Sequence, residues 1–357
     1  MEREFTVSLR LLHNNNNKNK LLLSSTNNKN AFFIEGGGTK GVYAIGILKY
    51  LFEENPYVDF KNINIFGGTS VGSYLATALS LGFEKNDIVE ISKIIDISNL
   101  IDSKYMFLVT GYRFLSYGYL YNDSGRQDIV YKILQYKIDT INEHLELTGA
   151  NKLDGKDITF GHLNALITKY PHIYKHLLIN AVDISRNEQI FLTTLDNKWE
   201  EIKLFDAILA SSAIPFVFKP TLLHYDPNTN KYSYNGTKNT TINNLVDGGV
   251  STNNPMDYFL LNEDQYPNYG LWLLKFTNHP SYVKIDGTIT LLKQLANYLI
   301  SGKNDVKMDL VQDQYSVNTI NLNSKAGTLD LYSAQKIQEI IEDIYNQCIT
   351  GTLKFDK

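Results

Sequence analysis

The stretch Ile63-Asn64-Ile65-Phe66-Gly67-Gly68-Thr69-Ser70-Val71-Gly72 reads as a short apolar strand that turns through glycine into a helix. The apolar run ends at Phe66, and a helical pattern opens at Val71 and continues to about Leu81. The glycines bracket Ser70 as Gly68-x-Ser70-x-Gly72, the arrangement of a nucleophile elbow. An elbow holds its serine in a strained turn, so the neighbouring residues must be small. The hydroxyl then projects over the N-terminus of the next helix, whose positive end favours an anionic tetrahedral intermediate. Gly-x-Ser-x-Gly is common by chance, but here it falls directly between strand and helix.

The same order of elements stands upstream, in Phe32-Phe33-Ile34-Glu35-Gly36-Gly37-Gly38-Thr39-Lys40-Gly41, followed by a helical pattern over Val42 to Glu54. Gly36 to Gly41 fits the dinucleotide fingerprint Gly-x-Gly-x-x-Gly. That fingerprint wants an acidic residue at the end of the second strand, about 20 residues on. The second strand ends instead in Gly67-Gly68-Thr69-Ser70, and Asp59 lies before it. The phosphate-loop pattern fails as well, because no Gly-Lys-Ser/Thr follows. From the residues alone, a tight turn that needs glycine and an anion-binding loop remain equal readings, and a nucleotide site stays open as the alternative.

A third glycine pair closes Asn244-Leu245-Val246-Asp247-Gly248-Gly249. Asp-Gly is an ordinary turn pair. At the carboxyl edge of an open α/β sheet, where ligands bind, Asp247 would also be placed to act as a base. Ser70, Asp247 and His279 follow the chain order of an α/β-hydrolase triad. Ser70 comes early for that fold, however, and His279 precedes Pro280 in an expected loop. His172 and His176 have the i,i+4 spacing of a helical metal pair but lack an acidic partner, and Leu177 opens an apolar strand. No metal site and no cofactor are expected.

The 357 residues can bury a sizeable core, and a net charge of −4 gives no reason to expect nucleic acid as a partner. One cysteine, Cys348, excludes an intrachain disulfide and a cysteine zinc cluster. No secretory signal or transmembrane-length run is visible, which leads to the expectation of a cytoplasmic protein with membrane contact, if any, through a local patch. Residues 1–30, with Asn14 to Asn17, are expected to form an Asn-rich mobile arm in which Phe5 to Leu12 has the alternation of an edge strand. Residues 31–357 form the folded domain.

Two adjacent strand–turn–helix units predict an α/β fold, three layers in an α/β/α order with a mainly parallel central sheet. Residues 84–150 read as helical, with a turn near Asn122 to Gly125. Strands are expected at Leu177 to Ile184, Gln189 to Thr193 and Tyr269 to Thr277, with a helix at Phe205 to Ser212. Leu222 to Leu245 reads as a hairpin with a polar loop. Thr288 to Ile300 and Ala334 to Tyr345 read as amphipathic helices. Leu291, Leu292, Leu295 and Leu299 are expected to pack on the core rather than touch a membrane; the tyrosine-rich stretch Tyr105 to Tyr121 is expected to form core or cap, with an interfacial lipid-contacting surface as the alternative.

Taken together, these blocks resemble the patatin-like phospholipases. That family's glycine loop, Gly-Gly-Gly-x-Arg/Lys-Gly, matches Gly36–Gly41; its Gly-x-Ser-x-Gly matches Gly68–Gly72. Its Asp-Gly-Gly with a following Asn-Pro matches Asp247-Gly248-Gly249 and Asn254-Pro255. Ala210-Ser211-Ser212-Ala213-Ile214-Pro215, with Phe218 and Pro220, resembles a further block, as do Thr159 to Leu163 and Asp183 to Phe191. Lys40 stands where arginine is more frequent, Phe259 where alanine is, and Asp226–Asn243 is an added polar loop. The resemblance implies a lipid acyl hydrolase working on phospholipid through a Ser70–Asp247 dyad without histidine. It implies an oxyanion hole at Gly36, Gly37 and Gly38, in which Gly37 and Gly38 donate N–H groups and Gly36 shapes the loop. Lys40 would add positive charge or fix the loop, and Gly41 completes it. A catalytically silent lipid-binding relative is the other alternative, and an activating protein partner is left open.

Overall fold

The structure is a computed structural model that describes residues 5–11, 29–53, 59–98, 100, 106–277, 282–301, 306–324, 330–350 and 354–355. His279 and most of the expected N-terminal arm lie outside them. The chain opens with β1 (Phe5–Leu11), β2 (Asn30–Ile34) and α1 (Gly41–Glu53). Then come β3 (Ile63–Gly68), α2 (Val71–Ser80), α3 (Lys85–Ile94), α4 (Met106–Tyr117), α5 (Ser124–His144) and α6 (Phe160–Lys169). The middle holds β4 (His176–Asp183), β5 (Glu188–Thr193), α7 (Leu204–Ser211), β6 (Thr221–Asp226), β7 (Lys231–Ser233) and β8 (Thr241–Asp247). The chain ends with α8 (Asp257–Leu261), β9 (Gly270–Thr277), α9 (Thr288–Ser301), α10 (Val306–Gln314), β10 (Val317–Ser324), α11 (Ala334–Ile349) and β11 (Lys354–Phe355).

One sheet runs β11-β1-β10-β9-β2-β3-β4-β8-β6-β7, with β5 also on β4. Its centre, from β10 through β9, β2 and β3 to β4, is parallel. The flanks, where β1 meets β10 and β8 meets β4 and β6, are antiparallel. Buried on both faces, β2 reads as an unbroken apolar run, as central parallel strands do. Its side chains divide the core by the period of two. Phe32 and Ile34 join α1, α2, α5, α7 and α11 on one face. Ala31 and Phe33 join α8 and α10 on the other. Phe259, on α8, packs edge-on against Phe33 and Tyr269. A bulky ring there fills the layer that Met308, Val311 and Tyr315 complete.

Three readings of the sequence change. The polar stretch 226–243 is not a single hairpin loop. β6 pairs with β7 through a tight turn in which Asp226 Oδ1 accepts from the Asn228 N–H at 2.9 Å, and β8 returns along the other side of β6. Of the histidines set aside as a metal pair, His172 lies in a turn and His176 opens β4, with Nδ1 3.0 Å from Thr194 Oγ1. On α9, Leu291 and Leu295 are exposed rather than packed on the core, and in the tyrosine-rich stretch, whose Tyr105 lies outside the described residues, Tyr112, Leu115 and Tyr117 are exposed rather than packed. Helix α11 follows its pattern, with Ile337, Ile340, Ile341 and Ile344 buried against α1. Among the described residues no helix is long and apolar enough to cross a membrane.

Candidate active site

β2 and β3 are neighbours that run in the same direction, with Ile34 opposite Gly68. Both glycine turns therefore leave the same edge of the sheet. Asp247 reaches that edge by an unexpected route, because β8 runs antiparallel to β4. The two strands overlap only at the end of β4, with Asp247 opposite Ala181, while Gly68 stands opposite Ile179 on the other side. The aspartate thus stops two positions beyond the level at which β3 turns into its elbow.

Ser70 adopts φ 53° and ψ −125°, a backbone conformation costly for any residue but glycine. Its N–H donates to Ser211 Oγ at 3.0 Å, and its carbonyl accepts from Ser73 Oγ at 2.6 Å. The flanking glycines are demanded by contact. A Cβ on Gly68 would lie 2.2 Å from the Gly72 carbonyl oxygen, and one on Gly72 would lie 2.1 Å from that of Ile34. This interlock brings the glycine loop over the elbow. A Cβ on Gly36 would lie 3.1 Å from Ser70 Cβ. The Gly36 N–H is already given to the Asn253 carbonyl at 3.1 Å, and Asn253 Nδ2 donates to the Gly36 carbonyl at 2.9 Å. Gly36 is thus tied at both backbone groups, whereas among the described residues no hydrogen bond takes the N–H groups of Gly37 and Gly38. Gly38 takes φ 58° and lines the same cleft as Ser70. Lys40 is buried behind the loop, where burial lowers its pKa and the fields of Glu35 and Asp330 oppose that fall.

Asp247 is wholly buried. Its N–H donates to the Ala213 carbonyl at 3.0 Å, which ties β8 to the Ala210–Pro215 block, and its Oδ1 accepts from the Gly249 N–H at 2.8 Å. Among the described residues Oδ2 has no hydrogen bond of full geometry. Burial pushes the carboxyl pKa up to about 6, against the Ser70 hydroxyl, the Gly249 N–H and the Arg126 guanidinium, all of which draw it down. Gly248 is fixed by the same crowding as the elbow, since a Cβ there would lie 2.5 Å from Asn180 Oδ1.

Two supporting residues escaped the sequence reading. Asn180, fully buried on β4, joins the two halves of the site. Its Oδ1 accepts from Thr69 Oγ1 at 2.5 Å, and its Nδ2 donates to the carbonyls of Thr252 at 3.0 Å and Gly248 at 3.4 Å. Arg126, on α5, is almost completely buried. It donates to Asp123 Oδ1 at 2.8 Å and Ser212 Oγ at 3.2 Å, and its guanidinium lies 4.5 Å from the centre of the Phe218 ring. The available signal was its spacing, three and four residues before Ile129 and Val130 on the buried stripe of α5.

From Ser70 a cleft open to solvent runs between α1, α2 and α5. Val42, Ile45, Leu75, Ile97, Ile133 and Ile214 are among its walls, and Arg126 is the charged residue in its lining. Its walls are almost entirely apolar, which suits hydrocarbon rather than a polar ligand.

The family model for patatin-like phospholipases matches residues 32–260. Uncharacterized protein L620 of Acanthamoeba polyphaga mimivirus is 51% identical over 330 residues, 91% of this chain and 89% of that protein. A cGAMP-activated phospholipase of Escherichia coli is 25% identical over 233 residues, 62% of this chain and 52% of that protein, about half of its length. Among solved structures, VipD from Legionella pneumophila superposes with a TM-score of 0.49 at 16% identity, covering 91% of this chain and 67% of VipD.

Proposed function

This chain belongs to the patatin-like phospholipase family and is a hydrolase, and from that premise we propose that it cleaves fatty-acyl esters of phospholipids through a Ser70–Asp247 dyad. The observation that carries the reading is the strained Ser70 at the head of an apolar cleft, with the wholly buried Asp247 carboxyl at the same edge of the sheet. Ser70 Oγ attacks the ester carbonyl as its proton passes to Asp247. The carbonyl oxygen becomes an oxyanion, held by the Gly37 and Gly38 N–H groups and by the N-terminus of α2. Asp247 returns the proton to the leaving alkoxide, which departs as the lysolipid alcohol and leaves an acyl-serine. Water then gives Asp247 a proton and attacks the acyl carbon, the second oxyanion collapses, and Ser70 recovers its proton as the fatty acid leaves.

A carboxylate of ordinary pKa, about 4, is a weak base toward a serine hydroxyl. Burial raises the Asp247 pKa to about 6, nearer to neutral pH, while the Ser70 hydroxyl, the Gly249 N–H and, least, the Arg126 charge oppose that rise. Nucleotide binding is the weaker reading. Among the described residues the cleft has no acidic side chain for a ribose, and the glycine loop folds onto a serine elbow. The protein is proposed to act in the cytoplasm at membrane surfaces. Fatty-acid release from phospholipid vesicles that survives EDTA and disappears in Ser70→Ala and Asp247→Asn is the expected result. Full activity in Asp247→Asn with loss in His279→Ala would replace the dyad by a histidine triad.

A further inference from the structure

We propose that the uncovered face of α4, together with Phe216, is the surface by which this protein docks on an anionic phospholipid bilayer. The inference rests on the lipid-hydrolase reading above and specifies where the membrane meets the cleft. Tyr112, Leu115 and Tyr117 on α4 are 64%, 87% and 62% exposed. A helix that packs on a core and faces water on its other side carries polar residues there. These rings pack on one another instead: Tyr117 meets Tyr112 edge-on at 6.3 Å and stacks on Tyr119 at 6.0 Å. Tyrosine, with an apolar body and a polar tip, is suited to the headgroup boundary of a bilayer.

The segment after α4 is bonded to the wall of the cleft. The Leu120 and Tyr121 N–H groups donate to the carbonyls of Phe216 and Val217, both at 2.9 Å. Ile214 and Phe218, which line the cleft, stand on either side of Phe216. Phe216 itself is held at φ 67°, a conformation costly for an aromatic residue, and its side chain is 38% exposed. The strain presents an apolar ring to solvent two residues from each of these cleft-lining side chains.

Charge selects the occupant. Arg113 is the one charged residue from Met106 to Tyr121, and Lys219 the one from Ala213 to Thr221. Both segments are therefore cationic in a chain whose net charge is −4. Apolar and aromatic side chains flanked by cations fit an anionic leaflet. A symmetric pairing of two copies through this face would instead set like charges against each other.

The test is co-sedimentation of Ser70→Ala protein, which cannot consume its target, with vesicles of phosphatidylcholine with and without phosphatidylserine. Added Tyr112→Ser, Leu115→Ser and Tyr117→Ser substitutions are expected to reduce partitioning by about tenfold or more. Phe216→Ser reduces it too, and Arg113→Gln with Lys219→Gln removes the preference for phosphatidylserine, with unfolding midpoints confirming folded protein. Retained binding in the triple variant overturns the proposal. So does loss of binding only on substitution of Leu291, Leu295 and Tyr298 on α9, or a dimer in solution that the α4 substitutions dissociate. Docking without hydrolysis by the Ser70 protein would refute the proposed reaction and leave the docking surface standing; hydrolysis of a dissolved ester without docking would do the reverse.

Discussion

Replacing Asp247 by asparagine should abolish activity and stabilise the protein. The unfolded carboxyl titrates near 3.8, and burial raises the folded value to about 6. Below pH 3.8 both states are protonated and the group is neutral toward stability. As pH rises through the interval the unfolded state ionises first, so the folded protein loses stability, and the loss is complete above about pH 6. At about 1.36 kcal/mol per unit, the shift of roughly two units corresponds to about 3 kcal/mol. Asparagine keeps an oxygen for the Gly249 N–H, carries no charge to desolvate, and places an N–H₂ group toward the Ser70 hydroxyl. The assay is urea unfolding of wild type and Asp247→Asn from pH 4 to pH 8. The variant should be about 2–3 kcal/mol more stable at pH 7.5, with the gap narrowing toward pH 4. A variant that is less stable at pH 7.5, or a gap that does not change with pH, would refute the argument that a buried, desolvated carboxylate sits at this position.

Other outcomes follow from the same contacts. On a dissolved ester, kcat/KM of the wild type should rise with pH about a midpoint near 6, as Asp247 ionises. Arg126→Met removes a charge that lowers that value, so the midpoint should move to higher pH. Asn180→Ala frees Thr69 from the Gly248–Thr252 turn, and kcat should fall by on the order of 10²-fold with a smaller change in KM. Gly72→Ala forces a Cβ to 2.1 Å from a backbone oxygen, and circular dichroism and yield should report a protein destabilised by more than about 3 kcal/mol.

The centre of the fold was legible because apolar strands and glycine turns are local signals. Ile63 to Phe66 had to be a strand, and the Cβ clashes at Gly68 and Gly72 give the reason for the glycine spacing. The flanks were harder. β10, Val317-Asn318-Thr319-Ile320-Asn321-Leu322-Asn323-Ser324, hides its buried Val317, Ile320 and Leu322 among polar residues. Its place beside β9 depends on a partner 46 residues earlier, Leu271 opposite Val317. The site divides in the same way. Ser70, the glycine loop and Asp247 stand in short motifs, whereas Asn180 acts on residues 111 and 72 positions away in the chain. No window of sequence holds both ends of that bridge. The direction of β8 was also hidden, because Asp247 looks the same at the end of a parallel or an antiparallel strand. The exposed leucines of α9 were misread because an amphipathic pattern does not say which face meets the core.

The central claim, that Ser70 is the nucleophile activated by Asp247, is tested most directly by reaction with a fluorophosphonate, read by intact mass and peptide mapping. The account predicts a single adduct on Ser70, strongly slowed in Asp247→Asn and absent in Ser70→Ala. An adduct on another residue, or equal labelling of the Ser70→Ala protein, would contradict it.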